Sequence, residues 1–216
     1  MAISKANFNS FNVTPTASKF ITFNSSNNGL AADDVGGSLK LISTQTASSS
    51  ATLSFTSGID STYKEYIFKF INIHPATDNV SFQFNVSIDG GSNYNVAKTS
   101  TAFQNYHNEP DDTAGQAYHS SNDLAQGTGV QILLGNGGVG NDNDQSASGH
   151  LHLFDPSNTT FVKHYIAVSN FYQYEDYSRN DFVAGYANTT SAINAVQFSM
   201  SSGNIDAGVI KLYGVN

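Results

Sequence analysis

The sequence predicts an all-β protein: an antiparallel β-sandwich, jelly-roll-like, of about ten strands, behind an extended N-terminal arm. Three observations carry this. Charged residues make up only 12% of the 216 residues, against about 25% in an ordinary soluble domain, so Lys, Glu and Arg are too few to coat many amphipathic helices. Ser, Thr, Asn and Gly are abundant and suit the wet faces of strands. Apolar residues recur at every second position in short runs, and Gly, Asn and Pro punctuate those runs.

Along the chain, residues 1–36 show no sustained alternation and are read as an arm or anchor segment. Phe8, Phe11, Phe20 and Phe23 are its candidate anchors, because a soluble chain has little reason to expose spaced phenylalanines. Residues 37–216 are read as the sandwich domain. Leu39, Leu41 and Ser43 alternate with Lys40, Ile42 and Thr44, and Leu53 and Phe55 alternate with Thr52, Ser54 and Thr56. Tyr66, Phe68 and Phe70 share one face while Ile67, Lys69, Ile71 and Ile73 share the other, which predicts a central strand buried on much of both sides.

Val80, Phe82, Phe84, Val86 and Ile88 form the clearest alternation, and Asp89-Gly90-Gly91-Ser92 predicts a tight turn into a returning strand over 93–100. The stretch 105–129 reads as a polar surface excursion, 130–134 as a short strand, and 135–149 as a Gly-, Asn- and Asp-rich loop. Strands resume over 149–154 and 160–170 around Asp155-Pro156-Ser157-Asn158, where proline cannot continue a ladder. Further strands are read over 182–188, 192–200 and 207–215, the last two joined by a turn at 201–204. No strand–helix–strand alternation and no fixed-period repeat is visible, which excludes α/β, solenoid and propeller architectures.

Composition also bounds function. The net charge of −8 repels phosphate backbones and anionic lipid, so neither a nucleic acid nor a membrane is an expected partner. No run reaches the roughly 18 apolar residues of a span, and the start Met1-Ala2-Ile3-Ser4-Lys5 lacks a signal-peptide core, so synthesis in a cytoplasm is expected. Gly135-Asn136-Gly137-Gly138-Val139-Gly140 matches the dinucleotide fingerprint literally. The residues after it, Asn141 to Ser146, have no helical face to hold a pyrophosphate, so a loop is the better reading.

Counted from Asp142, a calcium loop would need glycine and glutamate where Ala147 and Leu153 stand. His150 and His152 share a strand face and could begin a metal site, but no third ligand keeps spacing with them; wet-face or subunit-contact imidazoles are the plainer reading. No nucleophile elbow, cysteine or paired carboxylate is evident. No catalytic residue, cofactor or metal is therefore expected, and a polysaccharide depolymerase is the least favoured function. Phe171-Tyr172-Gln173-Tyr174-Glu175-Asp176-Tyr177 is the richest aromatic cluster: it either closes the core at a sheet rim or presents Tyr172, Tyr174 and Tyr177 as a recognition surface for glycan or protein.

Several strings give a resemblance. They are Tyr66-Ile67-Phe68-Lys69-Phe70-Ile71-Asn72-Ile73-His74-Pro75, Ser87-Ile88-Asp89-Gly90-Gly91-Ser92-Asn93-Tyr94, His150-Leu151-His152-Leu153-Phe154-Asp155-Pro156, Gly185-Tyr186-Ala187-Asn188-Thr189-Thr190 and Ser201-Ser202-Gly203-Asn204-Ile205-Asp206. Across about residues 38–216 the chain resembles small tail-fibre or fibre-like virion proteins of marine bacteriophages. The resemblance implies a non-enzymatic particle component, a homotrimer, with other virion proteins as partners. On that expectation the protein is a tail-associated fibre or fibre tip in the virion, acting in assembly and host-surface attachment through several weak sites. The alternative is a capsid decoration or head-fibre protein on the outer shell.

Overall fold

The structure is a computed structural model, and it describes residues 19–23, 30–34 and 38–216. The chain forms two compact units, Met1–Ser38 and Leu39–Asn216. In the first, β1 (Lys19–Phe23) and β2 (Leu30–Asp34) pair as an antiparallel hairpin. The arm read as irregular thus carries regular structure. Phe20 and Phe23 sit on β1 in register with Asp33 and Leu30, while Phe8 and Phe11 lie outside the described residues.

The second unit is all-β, with no helix among the described residues. One sheet of eight strands runs in the order β3 (Leu39–Thr46), β14 (Ile205–Val215), β5 (Glu65–Pro75), β10 (Ala147–Phe154), β11 (Lys163–Gln173), β12 (Tyr177–Ala187), β7 (Lys98–Asn108) and β8 (Ala114–Tyr118). A smaller sheet runs β9 (Gln131–Val139), β6 (Val80–Ser87), β13 (Ala195–Met200) and β4 (Leu53–Phe55). All pairs are antiparallel. The sheets join where Gln173 of β11 meets Val139 of β9. The opposite margins approach through Gln45 Nε2, which donates to the Ser54 carbonyl at 3.3 Å. The result is a sandwich whose sheet is nearly closed.

The core between the sheets is aromatic. Phe198 of β13 is its hub, stacked on Phe82 at 5.6 Å and set at an angle against Phe55, Phe68 and Phe84. Edge-to-face and offset pairs of this kind add stabilisation beyond the area that they bury. The inward residues Tyr66, Phe68 and Phe70 of β5 face this hub and are buried. On the outward face Ile67 is buried while Lys69 and Ile71 are exposed, so β5 is central in its sheet but covered on its outer side only in part. Ile73 does turn inward, because a bulge at Asn72 (φ 51°) shifts the strand by one position opposite Gly208 (φ 122°).

Other expectations change too. The stretch 105–129 is not all surface loop: β7 continues to Asn108 and β8 comes after it. The loop at 135–149 is shorter, since β9 runs to Val139 and β10 begins at Ala147. Ile88 leaves the apolar face of its strand and is exposed. Asp89-Gly90-Gly91-Ser92 does turn, but β6 and β7 are not hairpin partners; the chain crosses from the small sheet to the large one. In the missed half of β7 the inward side chains Gln104 and Asn108 are polar, and β8 is an edge strand that buries no side chain, so no hydrophobic alternation marks either.

Candidate functional site

The register gives the sandwich two distinct ends. Leu39 pairs with Val215, Val215 with Glu65, and Glu65 with Phe154, which places them all at one end, here the near end. Pro75, Asn108, Val139, Gln173 and Tyr177 close the strands at the far end. The far-end turns carry Asp78, Glu109, Asp111, Asp112, Asp142, Asp144, Glu175 and Asp176, Asp206 stands at the start of β14, and no lysine is among them.

The β11–β12 turn builds the centre of this end. Gln173 is buried, and its Oε1 accepts from Glu175 N at 3.0 Å. Asp176 takes a positive φ of 64° and donates its N–H to the Gln173 carbonyl at 3.0 Å. Glu109 of the β7–β8 turn donates its N–H to the Asp176 carbonyl at 3.0 Å, which locks the two turns together.

Between them lies Tyr172. Its hydroxyl sits 2.9 Å from Glu109 Oε1 and 3.1 Å from Asp176 Oδ1. The hydrogen bond to Glu109, with the second carboxylate adding to it, holds the phenol well above the usual tyrosine range. One phenolic proton serves one carboxylate at a time, so the pair keeps free lone pairs for an incoming hydroxyl or N–H donor.

An open cleft of about 400 Å³ adjoins this group, lined by His107, Glu109, Asn170, Phe171, Tyr172 and Tyr177 among others. His107 Nε2 pairs with Asp111 Oδ1 at 2.9 Å on its rim. The Arg179 guanidinium lies 5.2 Å from the Tyr177 ring and 5.4 Å from the Tyr106 ring, which fixes both aromatics. The structure therefore brings Tyr172 and Tyr177 to one cleft. Tyr174 is half-buried beside Glu175 and does not line it. Phe171 and Gln173 point into the core while Tyr172 points out, and Tyr174 lies past the end of β11, where its N–H donates to the Gly138 carbonyl at 3.3 Å.

The remaining motifs are architectural. The glycines of the G-x-G-x-x-G string pass close to other groups: a Cβ on Gly138 would lie 2.3 Å from Val80 N, and one on Gly140 would lie 1.7 Å from Gln145 Oε1. His150 and His152 face outward with ring centroids 4.9 Å apart, and His152 Nδ1 bonds Glu65 Oε1. Among the described residues no group of three His, Cys, Asp or Glu side chains is set to hold a metal. Sequence reasoning missed the buried ionisable groups Lys98, Lys163 and Asp181. The inward parity of Asp181 with Val183 was their one legible signal. Comparison of the chain with protein-family models, curated proteins and solved structures finds no match.

Proposed function

We propose that this chain is a non-enzymatic structural component of a tailed bacteriophage virion, a tail-associated fibre or fibre-tip protein that meets the host surface through its far end. The observation that carries the reading is polarity. The chain enters the sandwich at Leu39 at the near end, and the Tyr172–Tyr177 cleft opens at the far end. A segment anchored to a particle at one end would leave the cleft pointing away from it.

The chemistry of the cleft fits neutral glycan. Half-buried tyrosine rings offer apolar faces for sugar stacking, and the Glu109–Asp176 pair accepts sugar hydroxyls. The acidic far end disfavours phosphate-rich ligands. The scarcity of charge and the resemblance to fibre-like virion proteins support the same reading.

Immunogold labelling of purified virions tests it. Gold at the tail is expected; gold spread over the head would overturn it in favour of a capsid decoration protein. At the cleft, Tyr172→Ala is expected to weaken binding of the purified chain to host cells about tenfold, the equivalent of about 1.4 kcal/mol. Unchanged binding by this variant would place recognition elsewhere.

A further inference from the structure

The two outer faces of the sandwich differ. On the small sheet the outward side chains are neutral and satisfy one another: Gln83 Nε2 donates to Ser199 Oγ at 3.1 Å, and Gln197 Nε2 donates to Ser54 Oγ at 3.0 Å. On the large sheet the outward residues in register run Tyr118, Phe103, Phe182, Val168, His150 and Lys69 across six strands. Phe103 stacks on Phe182 at 4.8 Å, and Tyr118 beside them is 57% exposed. The next row holds Ile166, 47% exposed, and Leu41, 50% exposed, lies at the margin. The face continues at the near end into an apolar cleft of about 570 Å³ beside Phe161, which is 68% exposed.

We infer that this outer face of the eight-stranded sheet is an interface between copies of the chain packed side by side. Its anatomy is that of an interface: β11, β12 and β7 present an apolar and aromatic centre, with Lys69 and Lys211 toward one margin and Asp123, which accepts from the Tyr118 hydroxyl, at the other. Six strands spaced about 4.8 Å apart and roughly eight residues long at about 3.3 Å each present roughly 700 Å², close to the approximately 800 Å² per partner of a stable association.

Charge points to the same occupant. Lys69 and Lys211 stand opposite each other on neighbouring strands, and no carboxylate among the described residues forms an ion pair with either. A chain of net charge −8 brings carboxylates to that margin when a copy lies alongside. The shared orientation of the copies rests on the polarity of the proposed function; the association itself does not.

Light scattering on the size-fractionated full chain tests this. A discrete oligomer is expected, shifted toward monomer by Ile166→Glu and by Phe161→Glu, with circular dichroism confirming the fold. Phe161 lies in a loop, so its replacement leaves every ladder intact. Cross-linking of mixed isotope-labelled and unlabelled wild-type chains gives a second readout, with inter-chain links from Lys69 or Lys211 expected. A wild-type monomer at all concentrations would overturn the inference, as would inter-chain links found only at other lysines, or an oligomer indifferent to both substitutions. None of these results bears on where gold labels the particle, so this inference and the proposed function fail separately.

Discussion

Asp181 shows what burial does to a single residue. It is 3% exposed, its Oδ2 accepts the Gly135 N–H at 3.1 Å, and its Oδ1 has no partner among the described residues. Ser169 and Gln104 flank it in register. Burial pushes its pKa up to about 7, against the opposing influence of Gly135 N–H and Arg179. An unfolded aspartate titrates near about 3.9. As pH rises from there, the unfolded chain releases this proton first, so stability falls until the folded carboxyl also ionises near pH 7. The loss is at most roughly 4 kcal/mol.

Lys98 works in the opposite sense. It is buried and donates to Asn85 Oδ1 at 2.6 Å and to the Val96 carbonyl at 2.9 Å, and burial lowers its pKa to about 8. Its contribution to stability therefore recovers as pH climbs from about 8 toward the ordinary lysine value of 10.5. Asp181→Asn should raise the urea midpoint at pH 8 relative to wild type and flatten the profile below it. Parallel wild-type and variant profiles would show that the Asp181 pKa is the same in the folded and unfolded chain.

At the scale of elements, glycines separate two kinds of constraint. Strand β9 passes so close to β6 that a Cβ on Gly138 would meet Val80 N at 2.3 Å and Val80 O at 2.5 Å. Gly90 has open space around it but a φ of 73°. Gly138→Ala must push two backbones apart, at a cost of roughly 2–3 kcal/mol. Gly90→Ala meets only the left-handed penalty of about 1 kcal/mol. Chemical denaturation of the two variants should rank them in that order, and equal losses would mean that the β9–β6 crossing relaxes freely.

The same contrast between apolar and polar interiors explains how much was legible in the sequence. Strands β6, β13 and β14 alternate apolar with polar residues and read directly. The far half of β7 and the start of β12 bury Gln104, Asn108 and Asp181 instead, and β8 is exposed along nearly its whole length, so all three read as loop. Within the candidate site the tyrosines were visible as a cluster. Glu109 lies 63 positions from Tyr172 in the chain, and only the pairing of β12 with β7 brings it there.

At the scale of the whole molecule, the aromatic core decides what folds alone. Among the described residues every member of the buried cluster falls between Ala47 and Leu212, and the paired strands from β3 to β14 lie within the unit Leu39–Asn216. Phe198 ties the two sheets together, so truncation to alanine should cost about 3–5 kcal/mol. By contrast, among the described residues no member of the buried cluster lies before Ala47. A chain shortened by residues 1–38 should melt cooperatively within a few degrees of the full chain, by calorimetry at equal concentration. On the proposed function it should also keep cell binding through the Tyr172 cleft while losing incorporation into particles, because Leu39 and the cleft lie at opposite ends of the strand register. A chain lacking residues 1–38 that still assembles into virions would place the particle contact on the sandwich itself, and the polarity from Leu39 to Tyr172 would then lose its functional meaning.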